Sequence, residues 1–297
     1  MGGSRREKKR HLVRNIILCL FAALFLWVVI DLYLSNNVLK RQTVTLHNSR
    51  LPEAFDGFTV VHLSDLHEKE FGPDNRDLVA MVRDCEPDII AITGDFIEDY
   101  NGIPYAETLC AQLVKIAPVY YVTGNHEWAG EFGVEEKGIP KLMGPLKDMF
   151  NRVGVAYLEG DYQVIFRGEQ SIVIAGLDDP NARATAVKMP ALAARIRSNI
   201  DDDPFILLLY HRYDDFETVA EQAIDVVLTG HAHGGIVRLP FTDGLVGPDR
   251  EFWPKNTSGA HVSGRTTMIV SRGIGDTYFP RFNNRPNVIK LVLRSGG

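Results

Sequence analysis

Five short segments of this 297-residue chain carry side chains that can hold a cation or move a proton. They are SDLH (64–67), TGD (93–95), TGNHE (123–127), YHR (210–212) and TGHAH (229–233), and each follows an apolar run. Asp65 and His67 stand one residue apart, as do His231 and His233. In an extended chain residues i and i+2 project to the same side, so each pair is expected to converge on one space. Gly230, Gly234 and Gly235 leave room beside it. Imidazole and carboxylate donors without thiolate suit Mn, Fe or Zn. Asp65, His67, Asp95, Asn125, His211, His231 and His233 are too many donors for one tetrahedral ion. Two divalent ions sharing a bridging carboxylate are therefore expected, and Asp95 is the natural bridge. Two such ions, less Asp65, Asp95 and a bridging hydroxide, leave a charge of about +1 facing an anionic substrate, and neutral Asn125 preserves that excess. The chemistry this suits is in-line attack of a metal-bridged hydroxide on phosphorus.

Such donors need a frame that brings strand ends together. FTVVHLS (58–64), DIIAITG (88–94) and VYYVTG (119–124) read as strands, separated by helix-period segments at 74–86 and 103–117. This βαβ alternation predicts a mainly parallel sheet, and ligands in open α/β sheets sit beyond the carboxyl ends of the strands. All five segments lie there. Further strands at 170–176, 204–210, 223–230, 266–271 and 287–293 predict a second sheet packed on the first. Residues 239–259 read as a long irregular loop, and no linker divides the body.

The formal charge of −6 is uneven. Residues 1–14 hold Arg5, Arg6, Lys8, Lys9, Arg10 and Arg14 against Glu7, a balance of +5, so the remainder carries −11. An acidic body argues against nucleic acid as a general partner. Cys19, Cys85 and Cys110 lack CxxC spacing, and buried free thiols are the expected state of the latter two. From Asn15 to Ile30 the chain is uncharged. As a helix, Ile16–Leu34 spans roughly 28 Å, close to the hydrocarbon thickness. The expected organisation is a basic cytoplasmic flank (1–14), a transmembrane anchor (15–34), a polar stalk (35–56) and a catalytic domain (57–297). The flank should stay cytoplasmic and send the body across the cell membrane as a single-pass protein. A cleaved signal peptide is the rival, although Ser35-Asn36-Asn37 offers no A-x-A site.

In this order, D-x-H, GD, GNHE, a strand-end His and GHAH resemble the calcineurin-like metallophosphoesterases over roughly 57–295. GLDDP (176–180), GHAHGG-x-x-RLP (230–240), SRGIG (271–275) and FNNRPNVIKL (282–291) resemble their membrane-anchored bacterial phosphodiesterase subgroup. The resemblance implies an α/β fold, a four-layer αββα sandwich of two mixed sheets, with the metal pair at the sheet edge. It implies that Asp65, His67 and His233 bind one ion, that Asn125, His211 and His231 bind the other, and that Asp95 bridges. It makes His126 the catalytic residue near the scissile phosphate, stabilising charge or protonating the leaving oxygen. Relatives often have Pro after the Arg of the strand-end motif, whereas this chain has Tyr213-Asp214-Asp215, a region that could shape the substrate mouth.

Other polar residues carry two readings. Arg212 could touch phosphate or form a salt bridge. Asp178 and Asp179 could assist the site or form a turn before Pro180, and Arg272 is a weaker phosphate candidate. His62, inside a strand, reads as a core or inter-sheet residue. His11, His47 and His261 read as solvent-facing, and Glu127 and Trp128 as buttresses of the GNHE loop. The expected function is a membrane-anchored, two-metal phosphoester hydrolase, most simply a phosphodiesterase, with a lipid-linked or envelope-derived substrate favoured by the anchor. One alternative is a UDP-2,3-diacylglucosamine-type pyrophosphatase of lipid A synthesis, which the outward topology opposes because nucleotide-linked precursors are cytosolic. The other is a non-catalytic scaffold, which the intact ligand set opposes.

Overall fold

Alternation along the strands decides the architecture. In the computed structural model, which describes residues 2–132, 140–185, 188–200 and 203–296, strands β2 (Thr59–Leu63), β3 (Ile89–Thr93) and β4 (Val119–Val122) are buried at every position. Met1 and Gly297, the ends of the expected flank and domain, lie outside the described residues. Successive side chains enter different cores, because the strand repeat is two residues. Val60, Ile89, Ala91, Tyr120 and Val122 point one way; Val61, Ile90, Ile92, Val119 and Tyr121 point the other. A strand covered on both faces reads as an unbroken apolar run, which is how these strands read.

The first sheet has the order β1-β12-β2-β3-β4-β5, with β1 Lys40–Asn48, β5 Ala156–Tyr157 and β12 Asn287–Ser295. Its pairings are parallel except between β12 and β2. The second has the order β10-β11-β9-β8-β7-β6. Its strands are β6 Tyr162–Arg167, β7 Gln170–Leu177, β8 Ile206–Tyr210, β9 Val226–Thr229, β10 Gly259–Ser263 and β11 Thr266–Val270. Only its outer hairpins, β6–β7 and β10–β11, are antiparallel.

Between the sheets, Val60, Ile89 and Val122 meet Ile174, Leu207, Leu209 and Leu228. Outside the first sheet pack α2 (Arg76–Arg83), α3 (Ile103–Leu113) and α5 (Met143–Val153), through Leu78, Leu109 and Phe150. Outside the second pack α6 (Met189–Asn199) and α7 (Phe216–Glu221), through Leu192 and Phe216. The result is the expected α/β sandwich of two mixed sheets in four layers, except that the strand read at 287–293 as part of the second sheet joins the first as β12, between β1 and β2.

Residues 35–56 are not the polar stalk their composition suggested. Ser35–Asn37 close helix α1 (Gly2–Asn37), and Lys40–Asn48 forms an edge strand in parallel register with β12. Its polar residues alternate with half-buried Val44 and Leu46, which pack on the inter-sheet core. Polarity on one face of an edge strand is what solvent requires there, so composition alone mimics a linker.

Helix α1 contains one segment, Glu7–Asn37, long and apolar enough to cross a membrane, and none of its most apolar stretch is buried. Its last turns dock on the body. Asp31 accepts from the backbone N–H of Asn283 (2.6 Å), and Asn36 exchanges two hydrogen bonds, both 2.9 Å, with the backbone of Arg281. Trp27 meets Phe282 edge to face with centroids 5.5 Å apart.

His62 lies fully buried on β2, its Nε2 2.7 Å from Thr93 Oγ1 and its Nδ1 without a partner among the described residues. Burial pushes it down to about 3. The folded state thus refuses a proton that the unfolded chain accepts below its ordinary 6.5, so this group's contribution is complete above 6.5 and is lost as pH falls toward 3. Each pH unit in that window removes about 1.4 kcal/mol. Urea unfolding of the full chain in micelles should show a shallower acid slope for His62→Asn than for the wild type. Equal slopes would contradict this account.

Candidate metal centre

Each donor segment begins where a strand ends. β2 delivers residues 64–67, β3 Gly94-Asp95, β4 residues 123–127, β8 His211 and β9 residues 230–233. Their convergence does not come from the pleat, however. Asp65, His67, Asp95, His231 and His233 all have positive φ, between 45° and 63°. The chain leaves β2, β3 and β9 through left-handed turns, a conformation costing on the order of 1–2 kcal/mol per non-glycine residue. Glycine makes the closest approaches possible. A Cβ on Gly124 would lie 2.2 Å from Asp95 Oδ1, and one on Gly230 would lie 1.9 Å from Ser64 Oγ.

The donors fall into two groups that share one member. Asp65, His67, Asp95 and His233 bring ligand atoms within 4.8 Å of one another, and so do Asp95, His211 and His231. His233 Nε2 is 3.7 Å from Asp65 Oδ1 and 3.3 Å from His67 Nε2. On the other side, His211 Nε2 is 3.3 Å from Asp95 Oδ2 and 3.1 Å from Asn125 Oδ1. His231 and His233 therefore divide between the groups, and Asp95 stands between them. Asp65 Oδ2 is buried without a hydrogen-bond partner among the described residues. A buried anionic oxygen left unpaired is costly, and a cation among these donors satisfies it, so the residues present fit a pair of metal ions.

Supporting contacts aim the donors. His211 Nδ1 donates to Thr93 O (2.7 Å), which turns its Nε2 to the centre. Glu127, read from sequence as a buttress, is fully buried and accepts from the N–H groups of Asp95, Phe96 and Gly124 at 2.7–3.1 Å. Trp128 Nε1 donates to Thr123 Oγ1 (2.8 Å). Sequence reasoning missed two residues. Glu98, three positions after Asp95, accepts from His67 Nδ1 (2.6 Å) and from His126 Nδ1, fixing both rings. Arg281 is buried and directs Nη1 to His233 O and Nη2 to His233 Nδ1, both at 3.3 Å. The GDFIE spacing was a usable signal for Glu98. Arg281 sits in a distant polar segment and had none.

The ambiguous residues now resolve. Arg212 makes a mostly buried ion pair with Asp179 (2.6 Å) and donates to His231 Nε2 (2.8 Å). Asp179 also accepts from Asn181 N–H, closing the turn, and Asp178 accepts from Thr123 and Tyr157 hydroxyls away from the donors. Arg272 is not among the residues lining the cleft. His11 and His47 are exposed, and His261 is half-buried, facing Ser258 O. Tyr213, Asp214 and Asp249 line a separate depression of about 470 Å³ that adjoins the metal cleft through Asp249.

His126 is about a third exposed at the mouth of the cleft, a space of about 420 Å³, with Nε2 3.9 Å from Asp95 Oδ2. Burial works against its charge, but the Glu98 hydrogen bond and the Asp95 carboxylate push it up to about 9. Asp95 is likewise opposed by burial, yet the imidazoles of His211, His126 and His67 hold it well below the usual carboxylate range. Burial, with the neighbouring His211 and Arg212 charges, pushes His231 down to about 2. Burial also holds His233 well below the usual imidazole range, helped by the His67 and Arg281 charges. Both imidazoles are therefore held neutral, the form a metal requires.

The calcineurin-like phosphoesterase family model matches residues 58–235, more than half of the chain and every donor described above. The chain belongs to the calcineurin-like phosphoesterases. Among curated relatives, this phosphoesterase is 26% identical to the metallophosphoesterase YkuE of Bacillus subtilis, over 89% of this chain and 88% of that protein. It is 26% identical to the phosphodiesterase YaeI of Escherichia coli (80% and 82%) and 25% identical to the UDP-2,3-diacylglucosamine pyrophosphatase LpxG of Chlamydia trachomatis (86% and 84%). Of solved structures, the sulfate thiohydrolase SoxB of Thermus thermophilus superposes with a TM-score of 0.50 at 13% identity, covering 82% of this chain and 57% of that one. That likeness concerns the fold alone. Family and donor groups together make the protein a metal-dependent phosphoesterase.

Glu98 touches two rings and stands outside both donor groups that share Asp95, so it acts by positioning. Carboxylates in such places are worth about 10–100-fold in metal affinity or activity. Glu98→Gln should lower phosphoester turnover by about that factor and weaken metal retention on dialysis. Unchanged turnover and metal content would show that the Glu98 carboxylate is dispensable.

Proposed function

We propose that this chain is a membrane-anchored phosphodiesterase that works through two divalent cations, Mn, Fe or Zn by donor type. In this reading Asp65, His67 and His233 hold one, Asn125, His211 and His231 hold the other, and Asp95 bridges them. The observation that carries it is the sharing of Asp95 between two groups of buried donors, with the neutral Asn125 amide beside the second. Ions so held supply a nucleophile from water at neutral pH and positive charge against the entering and leaving oxygens of phosphorus.

The chain's own residues do the rest. Asp65 and Asp95 place only two negative charges at the centre, so an anionic ester is still attracted. His126, at the open side of the cleft, holds a proton on a ring clamped by Glu98 and Asp95, within reach of a leaving oxygen. Glu127 keeps the Asp95 loop from shifting as charge changes. The diesterase reading is supported by the name of the YaeI relative, and the anchor by the apolar length of α1. The basic flank before it supports an amino terminus in the cytoplasm and a body outside. The name of the LpxG relative favours a second reading, hydrolysis of a UDP-2,3-diacylglucosamine pyrophosphate.

The test is turnover by Mn-supplemented full chain in micelles with bis(p-nitrophenyl) phosphate, p-nitrophenyl phosphate and UDP-2,3-diacylglucosamine. Preference for the diester supports the first reading, preference for the sugar nucleotide supports the second, and turnover of none defeats both. Asp95→Asn is expected to lose both ions by elemental analysis. His126→Ala is expected to keep both and lose about 10²–10⁴-fold in kcat, the range for general acid–base groups. Metal loss in His126→Ala would contradict its assignment.

A further inference from the structure

Among the described residues, nine large hydrophobic side chains outside α1 are exposed, and six of them fall in two segments: Leu239, Phe241, Phe252 and Trp253 in the first, Tyr278 and Phe279 in the second. Scattered exposed apolar residues are ordinary, whereas a concentrated cluster marks an interaction surface. The two segments are tied together. Arg238 N–H donates to Phe282 O (2.9 Å), Val237 bridges Phe282, and Tyr278 Oη donates to Gly247 O (2.5 Å). Phe241 is fully exposed, which water does not favour.

Their position relative to α1 says what covers them. The loop that follows Phe279 holds the end of the helix through Asn36, Ser35 and Asp31. It also runs back along the helix, because Phe282 meets Trp27, ten residues before the end. At ~1.5 Å per residue, Trp27 lies roughly 15 Å up the axis from Asn37. The uncharged run ends at Ile30, so a segment level with Trp27 lies at or inside the boundary of the hydrocarbon that this run spans. The rim is continuous with the lipid-facing helix. It also borders the cleft: Tyr278 lines the metal centre together with His126 and His233, and Phe279 is the next residue.

We propose that Leu239, Phe241, Phe252, Trp253 and Phe279 form a rim seated in the leaflet from which α1 emerges, and that the cleft takes a phosphoester whose apolar part stays in that leaflet. The proposal rests on the anchored-phosphoesterase reading and adds the substrate class. Water adds across one P–O bond, its hydroxyl going to phosphorus and its proton to the released oxygen. The apolar product remains in the bilayer.

The test uses full chain in phosphatidylcholine vesicles with Mn, in a Trp27→Phe background that leaves Trp128, buried, and Trp253. Trp253 emission should be quenched by dibrominated phosphatidylcholine and shielded from aqueous iodide, and Trp253→Phe should remove the bromine-sensitive part. Quenching by iodide and not by bromolipid overturns the rim. In the same vesicles, Phe241→Ser and Phe252→Ser should each lower kcat/KM for a p-nitrophenyl phosphatidyl ester by about tenfold, the equivalent of losing part of one aromatic's burial. Turnover of soluble bis(p-nitrophenyl) phosphate should hold within about twofold. Equal losses on both esters, or no loss on the lipid one, also overturn it. If wild type hydrolyses neither ester, the phosphodiesterase reading fails, and the quenching result still decides the rim.

Discussion

A single buried carboxylate organises this protein. Asp95 lies between two sets of imidazoles that come from three other strand ends, those of β2, β8 and β9, and every one of those loops is shaped to reach it. Burial would ordinarily neutralise such a group. Here the surrounding His211, His126 and His67 rings keep it anionic, and Glu127 fixes its backbone from below. The arrangement is costly for the fold. Two buried acids and several left-handed residues raise the free energy of this edge, and the apolar layers between and outside the sheets offset it. A stable sandwich is thus the precondition for a strained rim, the usual relation between a rigid scaffold and its functional loops.

The division of work between the sheets follows from topology. The first sheet supplies Asp65, His67, Asp95 and Asn125, and the second supplies His211, His231 and His233. Each donor group takes members from both. The geometry of the centre therefore depends on how the two sheets sit against each other, which Leu207, Leu209 and Leu228 set by packing on Ile89, Ala91 and Val122. Core substitutions there act on the donors without touching them.

Much of this was legible in the chain itself. Unbroken apolar runs gave the doubly covered strands, and donor residues at their ends marked the sheet edge. The grouping of donors around Asp95 follows the ordered motifs. Three features escaped for physical reasons. The left-handed turns at Asp65, His67, Asp95, His231 and His233 are invisible because an i, i+2 spacing serves an extended chain and a reversing one equally well. Strand β1 was hidden because an edge strand is polar on its wet face. Arg281 was missed because its partner His233 lies 48 residues away, and Glu98, despite its fixed spacing from Asp95, because its contacts with His67 and His126 form only in the fold.

The clasp between Asn36 and Arg281 gives helix α1 a fixed rotational phase against the body. Adding one residue between Leu34 and Ser35 would turn everything before it by about 100° and swing Trp27 and Asp31 off the loop whose arginine steadies His233. The helix is thus no interchangeable appendage. A version made by trimming it would forfeit a prop of the catalytic edge, and any helix put in its place must match its angle as well as its length.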